Sequence, residues 1–144
     1  MANALFDPGR EGFLDGSIDY DTAVIKVSPV RGYTFSAAHK FVSDVTTAGG
    51  VLHGGAAVAL ASKTVTSGVA DAADITFTAL TATGAAACSL LIYQSSAVTG
   101  GSDVAATSQR VIAWIDTGTN IPFTPNGGDV TVAWDNGTNK IWKL

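Results

Sequence analysis

The chain has 144 residues, enough for one domain with a buried core, and 47% of them are hydrophobic against 14% charged. An average soluble domain carries roughly 25% charged residues, so this surface is built largely from small neutral side chains. The formal charge of −4, from 12 acids and 8 scattered bases, excludes the clustered Lys and Arg that nucleic-acid phosphates require, and no apolar run approaches the ~18 residues of a membrane helix.

Such a surface is a solubility liability for a free monomer and suits a subunit that neighbours cover. The apolar start is interrupted by Asp7, Arg10 and Glu11 and lacks a basic leader, so no signal peptide is expected. Cys88 is the lone cysteine and leaves no intrachain disulfide framework. Both features point to synthesis in a cytosol.

Residues 1–22 read as an N-terminal arm with a short helix. Asp7 can cap a first turn, Pro8 suits the first helical position, and Gly16 suits the left-handed residue after the end. Two turns are too short to be stable alone, so this piece must dock on its own domain or on a neighbour. Phe13 and Leu14 offer the apolar contact.

Residues 23–144 read as a single β domain. The β-branched run 23–30 (AVIKVSPV) is a strand that Pro29 assigns to a sheet edge or a strand end. Residues 36–45 predict a short helix capped by Ser36, with Ala37, Phe41 and Val45 on one face. The stretch 48–61, with Gly49-Gly50 and Gly54-Gly55, predicts a loop passing into a weak strand, and 63–66 a short one. In 74–80 (DITFTAL) the alternation places Ile75, Phe77 and Ala79 on one face. The continuous apolar runs 88–93 and 111–115 predict central strands covered on both sides, joined by a long flexible loop over 95–108.

Near the end, 130–134 puts Val130, Val132 and Trp134 on one face. Asn136-Gly137 is a strong hairpin signal, which makes 139–144 the partner strand, with Trp142 and Leu144 sharing a face. Seven or eight short strands with two minor helices predict an all-β fold, a β-sandwich or jelly-roll-like two-sheet architecture.

No catalytic or metal constellation emerges, and no cofactor is expected. His39 reads as a polar or capping residue and His53 as an exposed loop residue. Cys88 has no electropositive neighbour to activate it. Asp15, Asp19 and Asp21, like Asp71 and Asp74, read as turn formers, since the downstream Glu of a calcium loop is missing. The glycine pairs lack the Lys-Ser/Thr of a phosphate loop. Trp114, Trp134 and Trp142 could stack on sugars, but their alternating strand positions favour core packing. Of the three, Trp142, between Lys140 and Lys143, is the one expected to be exposed.

The opening residues 1–14 (MANALFDPGREGFL) resemble the start of a family of small structural proteins of tailed bacteriophages. Similar too are Ser62-Lys63-Thr64-Val65, the segment from Gly68 to Asp74, Leu91-Ile92-Tyr93, Ile115-Asp116-Thr117, residues 125–129 and 134–141. The resemblance implies a non-enzymatic virion protein, with a capsid decoration or cement protein on the outside of the head as the first expectation. A neck, tail or fibre-base component is the alternative, and a carbohydrate-binding surface module a second. The partners implied are the major capsid protein or other virion proteins and copies of the chain itself, trimers being common among phage surface proteins. Residues 2–20 are the expected docking segment, with Phe6, Arg10, Phe13 and Leu14 as contacts and Trp142 as a further candidate.

Overall fold

The computed structural model describes residues 3–53 and 56–144. In chain order the elements are β1 (Ala4–Leu5), α1 (Asp7–Asp15), β2 (Val24–Arg31), α2 (Val42–Thr47), β3 (Val51–Leu52), β4 (Val58–Ala59), β5 (Thr64–Thr66), β6 (Val69–Asp71), β7 (Ile75–Phe77), β8 (Ser89–Ser96), β9 (Arg110–Ile115), β10 (Val130–Val132) and β11 (Trp142–Lys143). They form one large antiparallel sheet, ordered β1-β9-β8-β2-β3 with β4 also on β2, and two small ones, β10-β7 and β11-β6-β5. The chain is all-β in class, a sandwich-like arrangement with two short helices.

The apolar runs explain the centre. Residues Leu90 to Ser96 of β8 are all buried, because the strand is flanked by β2 and β9 and covered on both faces. Leu90, Ile92, Ile25, Val27 and Ile112 face the small sheets, which contribute Ile75, Phe77, Val132, Trp134 and Trp142. Leu91, Tyr93, Val30, Val111 and Trp114 face the other way, under Phe6, Val42 and Val45. Burial pushes the Tyr93 phenol up to about 12.

The N-terminal segment docks on its own domain. Strand β1 pairs with β9, Ala4 opposite Trp114 and Leu5 opposite Ala113. Where the β8–β9 register shifts, Tyr93 faces Val111 and Ile92 faces Ala113, so Ile112 is the extra residue of a bulge. Its carbonyl accepts the Phe6 N–H at 3.0 Å. Phe6, not Asp7, is the cap residue of α1, Pro8 lies in the first turn, and Gly16 ends the helix at φ 77° as expected. The buried face of α1 is made of Gly9 and Gly12, which let the helix backbone lie against β9.

Several local expectations are overturned. Pro29 lies in β2, an interior strand between β8 and the β3/β4 pair. Its carbonyl accepts the His53 N–H at 2.9 Å on the β3 side, so its missing donor falls in the gap between those two short strands. The helix expected over 36–45 begins only at Val42, because the Asp44 carboxylate accepts the Lys40 and Phe41 N–H groups at 2.9 Å each and fixes the start there. Ala79 is exposed, since the backbone turns left-handed at φ 47° after β7 and Leu80 takes the inward place.

The Asn136-Gly137 hairpin does not form: β10 pairs with β7 and β11 with β6. Leu144, expected to share the face of Trp142, is exposed. The connection over 95–108 begins later than expected, as Ser95 and Ser96 are buried strand residues. It is held by the Lys26–Asp103 ion pair at 2.8 Å and by Ser43 N–H on the Ala106 carbonyl. Gly54-Gly55 lies outside the described residues.

Asp44 yields a prediction. The two N–H groups it accepts hold its carboxyl below the usual range, with burial opposing weakly. The charged form is favoured by folding, so its stabilisation is complete above the unfolded pKa and is lost as pH falls through the folded value. Asp44→Ala is expected to cost about 1 kcal/mol at neutral pH. In urea titrations the gap to wild type should close once the carboxylate is protonated.

Candidate functional site

The clearest concavity runs beside the free edge of β1. Here the turn closed by the Gly118–Ile121 bridge, the segment after β10 and the approach to β11 converge on the sheet edge. Two depressions, about 650 and 500 Å³, share Asn3, Ile115 and Ile141, and so form one groove. Asn3 fixes its wall: its Oδ1 accepts the Asp116 and Thr117 N–H groups at 3.1 Å, and its Nδ2 donates to the Thr117 carbonyl at 2.9 Å. Leu5, Ile115, Ile141 and Trp142 give apolar surface, while Arg10, Lys140 and Lys143 stand at the rim.

The expected contact residues are divided. Phe6 is 0% exposed, on the opposite face of the large sheet, and stacks on Phe35 with centroids 5.0 Å apart. It offers a partner no surface, which corrects its reading as a contact. Arg10 lines the groove; its Nη1 donates to the Leu5 carbonyl at 3.1 Å and pairs with Asp7 at 3.0 Å. Phe13 is half-buried against Trp142, ring centroids 6.4 Å apart. Leu14, its neighbour, is 91% exposed.

Trp142 is 9% exposed, and Trp114 and Trp134 are buried as well, so no indole stands free as a sugar platform. The expectation that Trp142 is the exposed one fails for a simple reason. Lys143, the next residue of β11, points outward while Trp142 turns to the other face and meets Tyr20 and the core, and Lys140 lies before the strand in left-handed backbone at φ 50°.

Several titratable groups are engaged in local structure. His39 Nδ1 lies 2.8 Å from the Tyr33 hydroxyl, which accepts the Ser36 N–H at 3.2 Å, while the Tyr33 ring meets Trp114 edge-on. His53 is half-buried, not exposed. Asp15 accepts the Ser17 N–H at 2.8 Å, and Asp19 takes both the N–H and the hydroxyl of Thr22; these bonds lower both carboxyls. Asp74 does more than form a turn, for it accepts the Trp134 N–H at 2.9 Å and anchors the end of β10. Burial pushes the Cys88 thiol up, away from the reactive thiolate. Among the described residues no group of three or more His, Cys, Asp or Glu is placed to hold a metal ion, and no helix is long and apolar enough to cross a membrane.

Comparison with protein-family models, with curated proteins and with solved structures found no match to the chain. The groove is therefore read from its own geometry. Sequence reasoning named Arg10 and Trp142 but missed Asn3, Ile115, Ile141 and Lys143. No local signal could have found them, because the groove joins segments more than 100 residues apart in the chain.

Proposed function

We propose that this protein is a non-enzymatic structural component of a tailed-phage virion, and that it serves as a decoration protein on the outside of the capsid. The reading starts from the similarity of the segments spread along the chain to phage structural proteins. The observation that carries the non-catalytic part is the use of the ionisable side chains. Asp15, Asp19, Asp44 and Asp74 cap turns, helices and strand ends, and His39 closes a local loop, so these side chains serve the fold. A rigid β domain with a weakly charged surface suits repeated attachment to a shell, where many copies each bridge neighbouring subunits.

Quantitative gel densitometry of purified particles tests the proposal. On the order of hundreds of copies per particle supports head decoration, as expected for a part repeated over a symmetric shell. About a dozen copies would place the protein at the neck or tail instead. Absence from the particle would overturn the virion reading.

A further inference from the structure

We infer that the groove beside β1 receives the outer face of α1 from a second copy of this chain, in a head-to-tail contact. The outer face of α1 is formed by Asp7, Arg10, Glu11, Leu14 and Asp15, all exposed and spaced i, i+3, i+4, i+7 and i+8, so they share one side of the helix, with three acids to one base. Leu14 projects from it at 91% exposure, next to Glu11 and Asp15 and one turn on from Arg10. Among the described residues no other exposed apolar side chain of this size stands on a helix: Val51, Val65, Val98, Val104 and Leu144 lie on strands, loops or the chain end.

The groove has the opposite character. In a chain of 12 acids and 8 bases, its lining includes three bases, Arg10, Lys140 and Lys143, and one acid, Asp135. Arg10 and Lys140 are paired at home with Asp7 and Asp71, at 3.0 and 3.5 Å. Lys143 is exposed, and no ion pair engages it among the described residues. Half-buried Ile141, with the small exposed fractions of Leu5 and Trp142, gives the groove apolar surface beside these cations. Charge and shape thus select a short acidic helix face carrying one protruding apolar side chain, and this chain supplies such a face itself.

The two patches adjoin each other, since Arg10 belongs to α1 and also lines the groove. Each copy would then offer its helix to the groove of the next. That contact is heterologous and closes into a ring if the rotation between copies divides a full turn. It does not depend on the virion reading, because it is a property of the isolated protein.

Analytical ultracentrifugation of the purified full chain across a wide concentration range is the test. Wild type should self-associate, and Leu14→Asp and Lys143→Glu should each weaken association by about tenfold or more, as for substitutions at an interface centre. Both positions are exposed, so circular dichroism should stay unchanged. Glu11→Lys combined with Lys143→Glu should restore association. A wild type that stays monomeric, an oligomer indifferent to both single changes, or a Lys143→Glu loss not rescued by the double would each overturn the contact. A monomer that binds a synthetic acidic, leucine-containing peptide would overturn it too, and give the groove to another protein.

Discussion

Trp142→Ala should lower the unfolding free energy by about 3–5 kcal/mol, the range for truncating a large buried aromatic. Trp142 sits opposite Ala70 in the β11–β6 pair and meets Tyr20 edge-on at 5.1 Å and Phe13 at 6.4 Å. Tyr20 in turn donates its hydroxyl to the Asp71 carbonyl at 2.9 Å, so one indole joins the small sheet, α1 and the segment between α1 and β2. Removing it leaves a cavity where these pieces meet. Total stabilities of domains this size lie near 5–15 kcal/mol, so the loss is a large share of the whole. Urea unfolding followed by circular dichroism gives the result. A loss within about 0.5 kcal/mol, usual for a surface change, would show that Trp142 does not hold this join. Trp142→Phe, which keeps a ring at the site, should lose clearly less.

That contrast shows where the sequence was legible. The runs that became β8 and β9 could be read directly, since strands buried on both faces need apolar residues at every position. The Gly16 stop of α1 was legible too, as left-handed backbone leaves few choices of residue. The C-terminal hairpin was not, although Asn136-Gly137 is a strong turn signal. Val132 sits opposite Ile75, and Trp142 opposite Ala70. Burying Val132, Trp134 and Trp142 against the large sheet outweighs what a local hairpin could gain, and only tertiary context contains that term. Val130 to Trp134 still alternates as read; the partner was wrong and the pattern right.

The groove was less legible than the fold. Its walls come from residues 3–5, Arg10, 113–121, 131–136 and 139–143, and more than 100 residues separate the first two from the rest. Charge counts showed a mildly acidic chain but not that three of its bases gather at one edge. Residues 7–15 carried a readable amphipathic hint in Phe13 and Leu14, yet the helix buries its glycines and leaves Leu14 outside. A hydrophobic-face reading cannot anticipate that, because the contact surface here is bare backbone.

Gly9 makes this measurable. A Cβ at position 9 would lie 2.9 Å from the Val111 carbonyl oxygen, 3.0 Å from that of Ile112 and 3.2 Å from Ile112 Cα. All three atoms are backbone of β9 at its bulge, the point where Phe6 is also bonded, so none can swing aside. In an open helix Gly→Ala gains roughly 0.5–1 kcal/mol. Here overpacking against the sheet costs about 1–3 kcal/mol and should win, so Gly9→Ala is expected to destabilise. Gly12→Ala is the internal control. Its Cβ would crowd the Ile18 side-chain end at 2.6 Å and Arg110 Nη2 at 2.9 Å, atoms that side-chain rotation can move, so its loss should be smaller. Urea midpoints of the two variants should therefore fall in the order Gly9→Ala below Gly12→Ala. The reverse order would mean that α1 rides higher on β9 than these distances state, and that the outer face bearing Leu14 is set by something other than glycine contact.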